Sequence, residues 1–117
     1  MAVGAGNLPL FPSIEGIRLG VAESGIKTLG RKDLVLIEMA EGGSCAGVFT
    51  KNAFCAAPVT LCKRHLESGV FANTSPTYLL INTGNANAGT GKQGMADAQD
   101  SCCFVASHFD VKPTQVL

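Results

Sequence analysis

The chain has 117 residues, 46 % of them hydrophobic, which is enough to build the core of one domain and excludes general disorder. Nine basic and nine acidic residues cancel and form no run of like charges, which argues against nucleic acid as a partner. Neither a signal peptide nor a membrane span of roughly 18 apolar residues is found, so we expect a soluble cytoplasmic chain with no membrane partner.

Three short segments in the first half of the chain have the composition of β-strands. Residues 16–25, GIRLGVAESG, alternate and end at a glycine, which predicts a strand. Residues 33–41, DLVLIEMAE, are an apolar run followed by a turn, which predicts a strand buried on both faces. Residues 45–50, CAGVFT, predict a third strand. No linker or repeat divides the sequence, and we therefore treat 1–117 as a single region.

The second half predicts two helices separated by a strand. Residues 58–66 begin with a proline, which suits the first turn of a helix, although a strand is a rival interpretation. Residues 77–82, TYLLIN, predict a strand. Residues 92–109 predict a helix, because apolar residues recur every three or four positions in one stripe: Met95, Ala98, Cys102 and Val105.

A run of small and polar residues, NTGNANAGTG, lies between this last strand and the helix. It contains no large apolar side chain and no charge, so it cannot contribute to a hydrophobic core. The N-terminus of a helix presents unpaired N–H groups, which attract negative charge. The position of the run therefore indicates a loop that can contact an anion.

Three interpretations of this loop are open from the residues alone. Gly89, Gly91 and Gly94 fit the G-x-G-x-x-G pattern of dinucleotide binding, with Asp110 downstream for a ribose, but other residues separate the first glycine from the strand. The small residues can also serve only a tight turn and close packing. The third interpretation is an oxyanion hole, in which N–H groups face the charge that develops during acyl transfer.

The five cysteines predict neither a disulfide framework nor a metal site, because none forms a C-x-x-C pair and their number is odd. Buried free thiols are the expected state. A Cys/His nucleophile is the sharper alternative, since Cys62 and His65 would lie on one face of a helix. No third group that could orient the histidine stands near them in the sequence. We expect no metal and no bound cofactor.

Four segments together closely resemble the ornithine acetyltransferase family of arginine biosynthesis, also called glutamate N-acetyltransferase. They are GIRLGVAESGIK, RKDLVL, AGVFTKNAFCAAPV and INTGNANAGTG, and they extend over nearly the whole chain. Their order and spacing make the resemblance more specific than any single motif.

The resemblance implies an α/β fold, a layered α/β sandwich, of which this chain would be an incomplete N-terminal part. Members of the family are precursors that cut themselves into an α and a β chain, and the new N-terminal threonine of the β chain is the nucleophile. They transfer acetyl from N-acetylornithine to glutamate through an acetyl-threonyl enzyme, and some accept acetyl-CoA as a donor substrate. The implied partner is the β chain, in an α2β2 heterotetramer. A related self-processing amidohydrolase or aminopeptidase is the alternative.

The resemblance also assigns roles within the loop. The family's oxyanion hole falls on Thr90 and Gly91. From the hydrogen-bonding capacity of their amides alone, we expect Asn85 and Asn87 to hold the loop and not to take part in the chemistry. A methyl group at Gly91 is expected to crowd the site. Because neither the nucleophile nor the main substrate-binding residues fall within this chain, we expect it to be inactive alone, as a fragment or as one piece of an assembly. It should expose apolar surface that associates.

Overall fold

The computed structural model describes residue 6, residues 9–72 and residues 75–117, without the side chains of 70–72. The segment in which no signal peptide was found lies partly outside these residues. The elements in chain order are β1 (Ile17–Ala22), β2 (Leu34–Met39), α1 (Ala57–Ala72), β3 (Tyr78–Asn82), α2 (Gly91–Phe109) and a short 3-10 turn (Pro113–Gln115). None of the helices in the described ranges is both long enough and apolar enough to cross a bilayer.

The three strands form one antiparallel sheet in the order β1, β2, β3. Leu36 pairs with Gly20 on one side and with Leu80 on the other, so these residues share a face. The side chains of Leu36 and Leu80 pack against the core, which identifies this face as the one that the helices cover. Residues one position along each strand point to the opposite face.

The core lies between that face and the two helices. Leu61 comes from α1, Tyr78 from β3, and Val116 from the segment after the 3-10 turn, and they pack with three residues of α2: Cys102, Val105 and Ala106. The ring of Tyr78 stacks on that of Phe109, with the centroids 4.5 Å apart. The predicted buried stripe of α2 is therefore confirmed at Cys102 and Val105, while Met95 and Ala98 are half-buried.

The segment after α2 adds a parallel pairing to the free side of β3. Val116 bridges to Tyr78, and the N–H of Leu117 donates to the Tyr78 carbonyl at 2.9 Å. The N–H of Leu80 in turn donates to the Leu117 carbonyl at 2.8 Å. The sequence alone did not indicate this pairing. It completes a strand, helix, strand arrangement around α2.

One sequence-based prediction about strands is wrong, and a second is not met within the described residues. Residues 45–50 form no strand, because strand propensity needs a partner with free N–H and C=O groups and no described strand pairs with them; Val48 is fully exposed. The strand β2 was expected to be buried on both faces, but all six of its residues are only half-buried. Within the described residues, the helices cover only one side of the sheet.

Candidate active site

The loop between β3 and α2 turns through positions that favour glycine. Gly84, Gly89 and Gly91 have φ angles of 92°, 75° and 61°. A β-carbon built on Gly91 meets no described atom within 4 Å, so the crowding expected from a methyl group there would have to come from atoms outside the described residues. An alanine there would instead be strained by its left-handed backbone, at a cost of about 1 to 2 kcal/mol.

Three asparagine side chains hold the loop to the end of β3. The amides of Asn82 and Asn87 bond to each other in both directions, with N···O distances of 3.4 and 2.9 Å. Asn85 adds a third bond by donating from Nδ2 to Oδ1 of Asn87 at 3.0 Å. The loop-holding role predicted for Asn85 and Asn87 is confirmed. Asn82, which completes the pair, has no sequence signal beyond its place at the end of a strand.

Thr90 stands at the start of α2 with its side chain directed back to the loop. Its hydroxyl Oγ1 donates to the main-chain carbonyl of Asn87 at 3.2 Å and makes no capping bond to the helix. Its own carbonyl accepts the N–H of Gly94 at 3.2 Å, which closes the first helical turn. Thr90 is therefore tied to the asparagine cluster on one side and to α2 on the other.

The N–H of Gly91 has no acceptor among the residues that the structure describes, whereas the turn at residues 88–89 directs the N–H of Thr90 toward the Asn87 carbonyl. They lie at the start of a 19-residue helix, where the helix dipole adds partial positive charge. Unpaired N–H groups at such a point stabilise a nearby anionic oxygen. This is the chemical capacity that an oxyanion hole requires.

A cavity of about 300 Å³ opens beside this loop. Its polar end carries three asparagines and a threonine: Asn82, Asn85, Asn87 and Thr90. Its apolar end is formed by strand and helix residues, among them Leu34, Leu61, Leu80 and Val116. Thr90 lines the cavity, whereas Gly91 is adjacent in the chain but does not line it. An apolar cleft with a few convergent polar groups is the usual form of a small-molecule site.

A turn between β1 and β2 supports the loop from the other side. The carboxylate of Asp33, itself buried, accepts hydrogen bonds from the N–H and the hydroxyl of Ser24 and from the N–H of Ile26, each at 2.7 Å. The bonds from Ser24 are the main reason that the pKa of Asp33 lies below its ordinary value. The Asp33 carbonyl accepts the N–H of Thr83 at 2.9 Å, which joins the turn to the loop. Sequence reasoning missed Asp33, whose only signal was a carboxylate directly before a strand.

The thiols do not form an activated nucleophile. Cys62 and His65 both lie on α1. The Nδ1 atom of His65 is 2.7 Å from the Val116 carbonyl oxygen, and because a carbonyl oxygen can only accept, Nδ1 donates to it. This nitrogen therefore cannot take a proton from Cys62. Burial raises the pKa of the Cys62 thiol, and it raises that of Cys102 to about 11. All five cysteines are free. The described residues contain no group of three or more metal-ligating side chains.

The G-x-G-x-x-G pattern lacks the arrangement that dinucleotide binding needs. In that arrangement the first glycine follows the strand directly, whereas β3 ends at Asn82 and residues 83–88 precede Gly89. Asp110 caps the C-terminus of α2 in a left-handed conformation instead of following a second parallel strand. The geometry does not support the nucleotide interpretation.

Comparison with known proteins decides the family. Residues 18–117 match the ArgJ family. The chain belongs to the ArgJ family. The resemblance drawn from the four sequence segments is thereby confirmed.

Curated ArgJ relatives extend the match along the chain. The arginine biosynthesis bifunctional protein ArgJ of Methylococcus capsulatus is 58 % identical over 89 % of this chain, and that of Pseudomonas fluorescens is 50 % identical over all of it. The chain spans 24 % and 27 % of their lengths, about a quarter. Both names refer to arginine biosynthesis, which agrees with the pathway that the resemblance implied.

Two solved ArgJ-family structures share the fold. An ornithine acetyltransferase from Mycobacterium tuberculosis, complexed with ornithine, aligns with a TM-score of 0.77, and ArgJ from Bacillus halodurans with 0.74. Each is 31 % identical in sequence, and the alignments cover 87 % of this chain and 53 % and 51 % of those chains. The expected α/β fold of the ornithine acetyltransferase type is confirmed.

Proposed function

We propose that these residues are the N-terminal part of the α chain of an ornithine/glutamate N-acetyltransferase and that Thr90 and Gly91 form its oxyanion hole. The observation that carries the proposal is the unpaired N–H of Gly91 at the start of α2, directly after Thr90, which lines the cavity. Membership of the ArgJ family supports acetyl transfer as the reaction. The protein that contains these residues together with the rest of the ArgJ sequence is called the complete enzyme below.

The proposed reaction moves an acetyl group from N-acetylornithine to glutamate in two steps. A threonine at the N-terminus of the β chain attacks the acetyl carbonyl, and its own α-amine, with a pKa near ~8, takes the hydroxyl proton. Ornithine leaves, and glutamate then takes the acetyl group from the threonine. Each step passes through a tetrahedral intermediate whose oxygen carries the negative charge that the hole stabilises. Acetyl-CoA is a further donor substrate within this scheme.

The hydrogen bonds favour main-chain N–H groups as the primary donors of the hole. The Thr90 hydroxyl already donates to the Asn87 carbonyl, so it must rotate away before it can donate to substrate. An N–H needs no such rotation, and donors fixed before the reaction stabilise the transition state most. The asparagine cluster keeps these N–H groups in place.

The proposal predicts a strong and selective effect of Thr90→Ala in the complete enzyme. Removing one oxyanion donor lowers turnover by about 100- to 1000-fold, and losing the hydroxyl that ties the donors to Asn87 should lower it in the same direction. The KM should change little, because the interaction forms in the transition state and not in the bound substrate. Steady-state acetyl transfer from N-acetylornithine to glutamate measures both constants.

Thr83→Ala is the matched control, since it makes the same change in the same loop. The Thr83 side chain makes no hydrogen bond to the residues that the structure describes, and its N–H bond to the Asp33 carbonyl survives the substitution. Thr83→Ala should therefore keep turnover near that of the wild type. Near-normal turnover of Thr90→Ala would refute a role of the Thr90 side chain in the oxyanion hole, either as a donor or as the group that holds the donors.

A second assay identifies the acceptor of the acetyl group. The complete enzyme is given N-acetylornithine with and without glutamate, and ornithine release is followed. A transferase releases ornithine continuously only when glutamate is present. Steady release without glutamate would show that water is the acceptor, as in a related self-processing amidohydrolase, and would contradict the proposed transfer.

A further inference from the structure

Gly94 lies in the first turn of α2 and lines the cavity beside Thr90. A β-carbon built on Gly94 would overlap both Oγ1 and Cβ of Thr90 and would also contact its Cγ2. The Thr90 side chain thus occupies the space that any other residue at position 94 would fill. Neither the G-x-G-x-x-G pattern nor the proposed oxyanion hole accounts for this close approach.

The overlap involves the part of Thr90 that cannot move alone. A hydroxyl can rotate about χ1, but the Cβ atom is fixed to the main chain, so a methyl group on Gly94 would have to displace the backbone of Thr90. That backbone leads directly to the unpaired N–H of Gly91, and its carbonyl accepts the N–H of Gly94. The asparagine cluster holds the same residue from the other side, through the bond from Oγ1 to the Asn87 carbonyl.

We propose that Gly94 is a positioning residue of the oxyanion hole, in that the missing side chain lets Thr90 fold back over α2 and fixes its N–H beside the cavity. The inference rests on the proposed function of Thr90. It adds a residue that lines the same cavity and acts on the oxyanion hole through the position of Thr90.

Helix propensity alone gives the opposite expectation for Gly94→Ala. Alanine is favoured over glycine inside a helix, so a position with room for the methyl group would gain stability. A positioning role instead predicts that catalysis falls through the displacement of Thr90. Measuring both kcat and Tm of Gly94→Ala therefore distinguishes a positioning role from the effect of helix propensity alone.

The test is Gly94→Ala in the complete enzyme, assayed for acetyl transfer. The kcat should fall by about 10- to 100-fold, the loss expected when a reacting group is misplaced by about 1 Å, while KM stays within about twofold. Gly20→Ala is the matched control, because a methyl group there would make only ordinary contacts with Leu36 of β2. It should retain the kcat of the wild type. An unchanged kcat in Gly94→Ala would overturn the inference.

A double variant tests whether Gly94 acts through Thr90. Thr90→Gly removes both overlapping atoms, so adding Gly94→Ala to that variant should change kcat by less than about twofold. An equal loss in both backgrounds would overturn the inference. Should the Gly94→Ala precursor fail to cut itself into its α and β chains, recovery of self-cleavage in the double variant supports the steric overlap between residues 94 and 90, and failure to recover overturns the inference.

A crystal structure of the complete Gly94→Ala enzyme separates this inference from the proposed function. A Thr90 main chain displaced from the cavity supports the steric argument, and an unmoved Thr90 contradicts it. If Thr90→Ala has normal turnover, the role proposed for the Thr90 side chain fails on its own evidence, whatever the crystal structure shows, and the kcat of Gly94→Ala then tests the main chain of Thr90 separately.

Discussion

At the scale of single residues, Asp33 shows how one buried carboxylate can organise two loops. Its side chain accepts three hydrogen bonds from the turn that holds Ser24 and Ile26, and its carbonyl accepts the N–H of Thr83 in the loop of the candidate site. Lys27, in the same turn, packs so closely that a β-carbon on Gly84 would lie 3.3 Å from its Cβ. The turn and the loop are therefore positioned together.

Asp33→Asn should destabilise the complete enzyme at neutral pH. The amide keeps the size of the side chain but removes the negative charge of the carboxylate, which accepts three hydrogen bonds from Ser24 and Ile26. It also places an NH₂ group, which can only donate, opposite a main-chain N–H donor. We expect a lower Tm than that of the wild type in thermal unfolding. Asp100→Asn, an exposed position on α2, is the control and should leave the Tm unchanged.

The same residue predicts a dependence on pH with a defined sign. Because the folded pKa of Asp33 lies below its ordinary value of 3.8, its stabilising contribution is complete above that value. The contribution is lost as the pH falls through the lower, folded pKa. The Tm difference between the wild type and Asp33→Asn should therefore shrink on acidification below 3.8. A difference that stays constant would show that the carboxylate charge is not its source.

At the scale of elements, α1, α2 and the parallel segment meet at one carbonyl oxygen. The Val116 carbonyl accepts a hydrogen bond from Nδ1 of His65 at 2.7 Å and a weak one from the Cys102 thiol at 3.7 Å. Val116 is fully buried, so this oxygen has no access to water within the described structure. An unpaired carbonyl at such a place is costly, which makes His65 the residue that fastens the segment to α1.

His65→Leu should destabilise the complete enzyme by about 1 to 3 kcal/mol, because the Val116 carbonyl loses its strong donor. His65→Asn is the matched variant, since its amide nitrogen lies at the same branch position as Nδ1 and can donate to the same carbonyl. Denaturant unfolding of the two variants and the wild type measures the loss. Equal destabilisation by both substitutions would show that packing, and not this hydrogen bond, is what His65 supplies.

Elements with local signals were predictable from the sequence, and those that depend on distant partners were not. The periodicity of residues 92–109 predicts α2 and its buried stripe, an alternating pattern predicts β1, and short apolar segments predict β2 and β3. Residues 45–50 have the composition of a strand but find no partner in the described sheet. The pairing of Val116 with Tyr78 is a contact between segments separated by a whole helix, which no local pattern encodes.

The same distinction between local signals and distant contacts holds for the candidate site. The strand, the small-residue loop and the helix could be ordered from the sequence, and this order indicated an anion site at a helix N-terminus. The mutual bonds of Asn82 and Asn87 and the fit of Thr90 over Gly94 depend on side-chain directions that the sequence does not give. The family resemblance, and not the pattern of glycines, selected Thr90 and Gly91 from this loop.

At the scale of the whole molecule, the sheet has one apolar face that no described element covers. The register places these eight side chains on the side opposite the helices: Ile17, Leu19, Val21, Val35, Ile37, Met39, Leu79 and Ile81. Leu19, Val21 and Ile81 are 57 %, 53 % and 47 % exposed. A continuous apolar patch of this kind normally marks a surface that another element covers. The chain spans only about a quarter of its curated relatives, whose further residues are the proposed cover.

Residues 1–117 expressed alone should therefore associate and bind a hydrophobic dye such as ANS. Replacing Leu19, Val21 and Ile81 together by serine should reduce both dye binding and association, because all three lie on the uncovered face. Leu29→Ser is the control: Leu29 is 89 % exposed but lies in the turn between β1 and β2, away from this face, so its replacement should have little effect. Light scattering measures association, and dye fluorescence measures the exposed apolar surface.

In the complete enzyme the triple variant should lower the yield of folded protein. There the three side chains would be core residues, and their replacement by serine would remove apolar contacts. A monodisperse chain that binds no dye, or a triple variant that leaves the complete enzyme unaffected, would show that this face is not an interface.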